Sequence, residues 1–241
     1  MTLRDVTRHL RLLGCPWTYG LRIRLLYAIV FYSKGRYSLP DLITNIVQSH
    51  DVRTKELHEA TLQPDRFGVL RESIRATRDV PGIIAEFGVF RGESLRVLDA
   101  ENDTNREIHG FDSFEGLPED WGNLLAKGYF KTELPTFPGR PVSLHKGLFH
   151  ETLPAFTAER NPAYSLVHID CDLWTSTRDV LGFLHGRLSP GAIVIFDEYY
   201  GYPSYEDHEY RAWKDYIDAN SISCTPVFIS NRSAAFRIDK G

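Results

Sequence analysis

From about residue 80 to the C-terminus, short apolar runs alternate with longer stretches, and a glycine or an acidic residue follows most of the runs. Runs of this length are typical of buried strands, and the stretches between them are long enough for helices. The alternation predicts an α/β fold, with a mainly parallel seven-stranded sheet and helices on both faces. The expected strands lie within residues 82–87, 107–111, 141–144, 164–169, 191–196, 225–229 and 234–238.

Residues 1 to about 75 have a different pattern, which is mostly helical. Apolar residues recur at helical spacing between Leu21 and Val30, and residues 41–50 follow Pro40 as a second expected helix. We therefore expect an N-terminal helical extension over residues 1–75 and a strand-containing domain over residues 76–241. The extension is expected to act as a lid or as the contact surface of a homodimer.

Composition excludes several classes of protein. The net charge of −4 does not favour nucleic acid as a partner. The apolar run Leu25–Tyr32 has 8 residues, whereas a membrane span needs about 20, and no signal-peptide cleavage site follows it. The three cysteines are far apart and odd in number, which favours a reducing cytoplasm.

A glycine-rich turn is expected after the first strand, between Glu86 and Ser94. Gly88 and Gly92 allow the backbone to turn tightly and to approach a ligand, and the amides at the start of the next helix offer donors. Alone, the motif is equally well interpreted as an ordinary turn between a strand and a helix.

Asp112 ends the second expected strand, 20 residues after Gly92. At about this separation an acidic residue can accept hydrogen bonds from the two hydroxyls of a ribose. An isolated aspartate would more simply be a helix cap, but the two features together favour a nucleoside site. A weaker signal follows the third strand, where a nucleobase could contact Leu148 or Phe149.

Acidic residues follow the fourth and fifth expected strands. Asp170 follows the fourth, with Asp172 close behind, and Asp197 and Glu198 follow the fifth. Converging carboxylates suit Mg2+ or another divalent ion that prefers oxygen ligands. Singly, each acid could instead cap a turn or face solvent, and only as a set do they favour a metal site.

These residues resemble a known pattern, that of the class I S-adenosylmethionine-dependent methyltransferases with their Rossmann-like fold. Within that class they are similar to the macrocin O-methyltransferase (TylF/MycF-like) family of sugar methyltransferases. The most specific piece is Gly110–Pro118, which reads GFDSFEGLP. The matching segments follow the family order and are residues 85–94, 110–118, 146–154, 168–177 and 191–198.

The resemblance implies an S-adenosyl-L-methionine site. The turn after the first strand would hold the amino-acid part of the cofactor, Asp112 its ribose, and the region of Lys146 and Gly147 its adenine. The resemblance also implies a divalent cation at Asp170, Asp197 and Glu198, although family members commonly have a second aspartate where this chain has Glu198. The expected cofactor residues are Glu86, Gly88, Phe90, Arg91, Gly92, Ser94, Asp112, Ser113, Phe114, Gly147 and Asp170.

The implied reaction is O-methylation of a hydroxyl on a sugar or another small hydroxylated metabolite, with metal assistance. Asp170 is expected to act as ligand and base; Asp172 and His208 are further candidate bases. For His208 alone, a surface histidine in a polar stretch is the favoured interpretation. The segment Tyr199–Tyr216 is rich in aromatic residues, and it is interpreted equally well as an acceptor wall or as a packed helix.

Three other classes of protein compete with this interpretation. Asp170-Cys171-Asp172 has the D-x-D form of metal-dependent nucleotide-sugar glycosyltransferases, which would not explain the glycine turn. A nicotinamide-dependent oxidoreductase would normally have a closer glycine spacing. A non-catalytic cofactor-binding module has no evident use for three carboxylates at one edge of a sheet.

Overall fold

The structure is a computed structural model, and it describes residues 39–122, 124–138 and 142–240. Contacts divide the chain into two compact units, residues 1–42 and residues 43–241, and every strand among the described residues lies in the second. The helix expected near Leu21–Val30 lies outside the described residues. The lid or dimer role of residues 1–75 stays a prediction.

One eight-stranded sheet forms the centre of the second unit. Its order is β1-β7-β8-β6-β5-β2-β3-β4, and all neighbours are parallel except that β8 is antiparallel to both β6 and β7. The strand order reverses between β2 and β5, and ligands bind beyond the carboxyl ends of strands at such a point. The strands are β1 (Thr61–Leu62), β2 (Ile83–Phe87), β3 (Ile108–Asp112), β4 (Val142–Lys146), β5 (Tyr164–Ile169), β6 (Leu188–Phe196), β7 (Ser223–Ile229) and β8 (Ala234–Lys240).

The predicted mainly parallel α/β sheet is confirmed, and each of the seven expected runs forms a strand. The expected number of seven strands was wrong by one, because β1 adds an eighth at the edge. β1 has only two residues, Thr61 and Leu62, paired in parallel with Phe228 and Ile229 of β7. A strand this short has no alternation of apolar and polar positions, so the sequence pattern could not show it.

Six α-helices and one short 3-10 helix, Tyr205–Asp207, are present in the part of the chain that the structure describes. The first begins at Leu39, next to Pro40, and is longer than the expected residues 41–50. The second begins after Asp65, whose carboxylate accepts a hydrogen bond from the Gly68 amide at 2.8 Å and so caps the helix. The helices are α1 (Leu39–Lys55), α2 (Arg66–Ala76), α3 (Glu93–Glu101), α4 (Phe149–Arg160), α5 (Trp174–Leu184) and α6 (Glu209–Asn220).

Apolar side chains bury both faces of the sheet. On one face, Val69 of α2 and Leu95 of α3 pack in a cluster with Ile84 and Ile193 of the strands. On the other, Phe87 of β2 meets the ring of Phe149 at the start of α4, and Phe196 of β6 meets Trp213 of α6. Close packing on both faces makes the sheet a rigid platform for the loops at its carboxyl edge.

Two expectations from the sequence concern the membrane and the redox state of the compartment. Within the described part of the chain, no helix is long and apolar enough to cross a membrane. Cys171 and Cys224 are both free thiols, and Cys15 lies outside the described residues. The reducing compartment expected from the cysteines stays a prediction.

Candidate functional site at the carboxyl edge of the sheet

The turn after β2 packs directly on the chain that leaves β5. Gly88 has a φ of +93°, and a Cβ atom at this residue would lie only 1.8 Å from the carbonyl oxygen of Asp170. Gly92, with a φ of +74°, precedes α3, and Phe90 between them also has a positive φ of 48°. Glycine adopts this left-handed region at little cost, so the glycine spacing explains how the turn comes this close to β5.

Asp112, at the end of β3, holds the turn after β2 in place. Its Oδ2 accepts hydrogen bonds from the amides of Val89 and Phe90, both at 2.8 Å, and its Oδ1 accepts one from the Phe114 amide at 2.7 Å. A carboxylate oxygen has two lone pairs, so Oδ1 offers one more acceptor position. The residue expected to bind ribose is therefore also a structural link between two strand ends.

The remaining expected cofactor residues lie on the neighbouring loops. Ser113 donates to the carbonyl of Gly116 at 3.3 Å, and Phe114 is buried in the hydrophobic core. Gly147, at the end of β4, donates its amide to the carbonyl of Asp112 at 3.0 Å. The turns after β3 and β4 are thus tied together. Arg91 has its guanidinium 5.0 Å from the ring centre of Phe90.

A buried chain of charged groups connects β2, β5 and β6. Glu86 accepts hydrogen bonds from the Ser94 hydroxyl and from His168 Nδ1, both at 3.0 Å, and His168 Nε2 lies 3.7 Å from Asp197 Oδ1. Burial alone would lower the pKa of His168, but the neighbouring carboxylates of Asp197 and Glu86 raise it to about 10. Its imidazole is therefore a cation at neutral pH. Burial raises the pKa of Glu86, against the hydrogen bonds from His168 and Ser94.

Two of the three expected metal ligands lie together. Asp170 and Asp197 end neighbouring strands, and Arg66 Nη1 lies 2.8 Å from Asp197 Oδ2 and 3.4 Å from Asp170 Oδ2. One nitrogen of His168 and one oxygen of each aspartate lie within 4.8 Å of one another. Burial would raise the pKa of Asp197, but His168 and Arg66 lower it to about 2. Two carboxylates at this spacing suit a divalent cation, and the imidazole could join them only in its neutral form.

Glu198 is not part of this group. Its carboxylate accepts hydrogen bonds from Arg232 Nη1 at 3.1 and 3.2 Å. Asp197 and Glu198 both lie in the turn that follows β6, and they have different partners. Burial raises the pKa of Glu198 to about 7, although the charge of Arg232 lowers it.

Glu209, the first residue of α6, is a site residue that the sequence analysis missed. It is fully buried, and its Oε1 accepts the backbone amides of Cys171 and Asp172 at 3.3 and 3.2 Å. Its Oε2 accepts the amide of Glu198 at 3.1 Å. One carboxylate thus joins the loops after β5 and β6. The available signal was an acidic residue in the first turn of an expected helix.

Asp172 belongs to the same loop and is almost completely buried, with 7% of its surface exposed. It has a φ of +62°. Burial, together with the negative charges of Asp170, Glu198 and Glu209, raises the pKa of Asp172 well above its usual value. Burial and the charge of Asp197 raise that of Asp170 in the same way. The edge therefore concentrates negative charge, and a bound cation would relieve it.

The aromatic segment after β6 is packed core for the most part. Trp213 and four tyrosines are each at most 1% exposed, so the packed interpretation is the better one for these rings. His208 is not a surface histidine: it is 9% exposed, its ring stacks on Tyr202 at 6.3 Å, and the edge of Trp121 is 6.0 Å away. Burial lowers the pKa of His208. The four tyrosines are Tyr199, Tyr200, Tyr202 and Tyr205.

Comparison with known proteins identifies the family of this chain. The family model described as Macrocin-O-methyltransferase (TylF) matches residues 62–127 and 134–237. These residues include the carboxyl ends of β2, β3, β4, β5 and β6.

Curated relatives of this chain are also named as O-methyltransferases. The 8-demethyl-8-(2,3-dimethoxy-alpha-L-rhamnosyl)-tetracenomycin-C 4'-O-methyltransferase of Streptomyces olivaceus is 33% identical over 184 residues, which is 66% of this chain and 69% of the relative. The mycinamicin III 3''-O-methyltransferase of Micromonospora griseorubida is 30% identical over 190 residues, which is 67% of this chain and 71% of the relative.

Solved structures support the fold. The calicheamicin methyltransferase CalS11 superposes with a TM-score of 0.60 at 22% identity, covering 92% of this chain and 93% of its own. The O-methyltransferase NovP has a TM-score of 0.58 at 22% identity, covering 73% of this chain and 80% of its own. At these identities the likeness concerns the fold alone.

Proposed function

This chain belongs to the TylF family of macrocin O-methyltransferases, which are S-adenosylmethionine-dependent enzymes, and we propose that it methylates a hydroxyl of a sugar or another small hydroxylated metabolite. The observation that carries the proposal is the set of strand ends at the switch point, where a glycine turn faces Asp112 and a carboxylate pair ends β5 and β6. Both curated relatives described above are O-methyltransferases by name, and the name of one includes a rhamnosyl group.

We place the cofactor over the turn after β2. Bound S-adenosylmethionine supplies a methyl group on a positively charged sulfur. The turn from Glu86 to Ser94 would bind the amino-acid part, and Asp112 Oδ1 has an acceptor position left for a ribose hydroxyl. The adenine would lie near Gly147, at the adjoining end of β4. Arg91, Phe90 and the loop residues Ser113 and Phe114 shape the walls of this site.

We assign the acceptor hydroxyl to the acidic edge next to the cofactor. The acidic edge is the group of carboxylates that follow β5 and β6, namely Asp170, Asp172, Asp197 and Glu198. Asp170 and Asp172 have raised pKa values, caused by burial and neighbouring carboxylates. A carboxylate with a raised pKa is a better proton acceptor at neutral pH than an ordinary one. Asp170 is the candidate base and Asp172 its alternative. Holding donor and acceptor in line at about 3–3.5 Å would supply much of the rate.

We further propose that a divalent cation binds at this site. Asp170 and Asp197 fit a divalent cation such as Mg2+, because two hard oxygen donors end adjacent strands within reach of one ion. His168 would be a third ligand only after losing the proton that Glu86 and Asp197 hold on it. Glu198 accepts hydrogen bonds from Arg232, so it could bind the ion only after leaving Arg232. A divalent cation at this place would act as a Lewis acid toward the acceptor hydroxyl.

His208 is the weaker candidate base. Its neutral imidazole lies among aromatic rings, where Trp121 Nε1 and the Tyr202 hydroxyl have no hydrogen-bond partner among the described residues. Buried polar groups of this kind normally have a partner. We therefore assign Trp121 and His208 to the acceptor side, as contacts for sugar hydroxyls, and Tyr202 to the packing of His208.

Methyl transfer from radiolabelled S-adenosylmethionine tests the proposal. The acceptor panel would hold an alkyl rhamnoside, a nucleotide-linked deoxysugar, a catechol, an amine and a carboxylic acid. We expect an alkali-stable methyl ether on a sugar hydroxyl, lost in Asp170→Asn and kept in the surface control Asp218→Asn. Transfer only to the amine or the carboxylic acid would contradict the proposal.

The competing classes are not favoured. The family match is to methyltransferases, so the glycosyltransferase interpretation of Asp170-Cys171-Asp172, the oxidoreductase and the non-catalytic module are set aside. The homodimer and the cytoplasmic location stay predictions.

A further inference from the structure

Arg66 occupies a particular place in the acidic edge. It is the first residue of α2, held there by the Asp65 cap, and its guanidinium reaches across to β5 and β6. A single nitrogen, Nη1, lies 2.8 Å from Asp197 Oδ2 and 3.4 Å from Asp170 Oδ2. The positive charge is therefore between the two carboxylates proposed to bind the divalent ion.

A metal ion and this nitrogen cannot be there together. A divalent ion that joins Asp170 and Asp197 would lie about 2.0–2.6 Å from an oxygen of each. Nη1 already contacts both carboxylates, so the ion would come within van der Waals contact of the guanidinium, and the two positive charges would repel each other.

The Arg66 side chain also has another place to go. Its exposed fraction is 36%, and its Nη2 lies 4.0 Å from the carboxylate of Glu93, which is 70% exposed at the start of α3. A long, flexible side chain with a second carboxylate at the rim can leave the Asp170–Asp197 pair without losing all of its ion pairing. Because a guanidinium stays charged at any working pH, this exchange does not depend on protonation of Arg66.

We propose that the Arg66 guanidinium and a divalent cation are alternative occupants of the Asp170–Asp197 pair. Without the ion, Arg66 neutralises the buried carboxylate of Asp197 and the partly buried one of Asp170; when the ion enters, Arg66 turns toward Glu93. This inference rests on the proposed function of the site, and it adds a competing internal cation to it.

Mn2+ binding, followed by electron paramagnetic resonance of the free ion, tests the competition on the full chain without acceptor. We expect Arg66→Met to bind Mn2+ at least tenfold more tightly than the wild type, and Arg66→Lys to lie between them. Arg71→Met is the matched control, since Arg71 is on the same helix and pairs with Glu101 at 3.7 Å; it should bind Mn2+ as the wild type does. Asp197→Asn should lose binding.

A thermal melt keeps the test decisive if Arg66→Met folds poorly. Without metal this variant should melt below the wild type, and Mn2+ should raise its Tm by more than it raises that of the wild type. Equal Mn2+ affinity in wild type and Arg66→Met, or binding by neither, would overturn the inference. Titrating the same samples with S-adenosylmethionine separates the two proposals, because cofactor binding without a Mn2+ difference contradicts the competition alone.

Discussion

Glu209 shows how one buried side chain can position residues from two strands. Its two oxygens accept three backbone amides, two from the loop after β5 and one from the residue after β6. The candidate base Asp170 and its alternative Asp172 are on the first of these loops. The carboxylate therefore acts on the site through backbone geometry, and not through contact with a ligand.

Replacing Glu209 by glutamine should make the protein less stable. The amide of glutamine has only one acceptor oxygen, so its NH2 group would face a backbone N–H that then lacks a partner. An unsatisfied buried donor costs about 1–3 kcal/mol, and we expect urea unfolding to show a loss of this size. Asp218→Asn, on the exposed side of the same helix, should change the free energy of unfolding by less than about 0.5 kcal/mol. A loss no larger than that of the control would contradict the positioning role.

At the scale of elements, the turn after β2 depends on how closely it approaches β5. The amide of Asp170 donates to the carbonyl of Phe87 at 2.8 Å, and there is no room for a side chain at Gly88. The turn is further fixed by Asp112 from β3. The proposed cofactor site is thus made of three strand ends that hold each other, and not of one isolated loop.

Gly88→Ala should disrupt this arrangement. The new Cβ would lie 1.8 Å from the Asp170 carbonyl oxygen in a left-handed conformation, so the turn must move away from β5. We expect the free energy of unfolding to fall by about 3 kcal/mol or more, measured by urea denaturation. Gly182→Ala is the control: it lies in α5 with nothing within 4 Å of the added Cβ, and should stabilise by about 0.5–1 kcal/mol.

A pair of histidines links β3 to β4 away from the acidic edge. His109 Nδ1 lies 3.0 Å from His145 Nε2, and His109 Nε2 lies 3.1 Å from Glu107. Burial lowers the pKa of His109, against the raising effect of Glu107. Burial, with the charges of His109 and Arg160, lowers that of His145. Two charged imidazoles cannot share this hydrogen bond, so the pair favours the neutral form.

The stability that this pair contributes should depend on pH. A histidine with a lowered folded pKa binds fewer protons when folded than when unfolded, so its contribution is complete above the unfolded pKa of about 6.5 and is lost as the pH falls. We expect His145→Gln, which cannot titrate, to lose less stability than the wild type between pH 7.5 and pH 5.5. Exposed His150→Gln should follow the wild-type curve. Parallel curves for the wild type and His145→Gln would contradict this account.

For the whole molecule, the sequence predicted the strands and the residues that follow them. It did not predict which of these residues contact each other at the carboxyl edge of the sheet. Apolar runs and strand-end residues are local signals, and they identified seven strands, the glycine turn and Asp112. Glu209 was missed because the amides it holds at Cys171 and Asp172 are 38 and 37 residues away. The partner of Glu198 could not be predicted either, since Arg232 is 34 residues away in the sequence.

The place of Arg66 could not be predicted from the sequence for the same reason. Asp170 and Asp197 are recognisable as acids that follow strands, but Arg66 precedes them by 104 and 131 residues. No spacing rule connects an arginine at the start of α2 with carboxylates after β5 and β6. Only the folded sheet brings these charges together.

The central claim is that the turn after β2 and Asp112 form an S-adenosylmethionine site. Calorimetric titration of the wild type and of Asp112→Asn with S-adenosylmethionine tests it most directly, with exposed Asp103→Asn as the control. We predict micromolar or tighter binding by the wild type and by Asp103→Asn, and binding at least tenfold weaker by Asp112→Asn. Absence of binding by the wild type would contradict the methyltransferase account, and equal binding by all three proteins would contradict the assignment of Asp112.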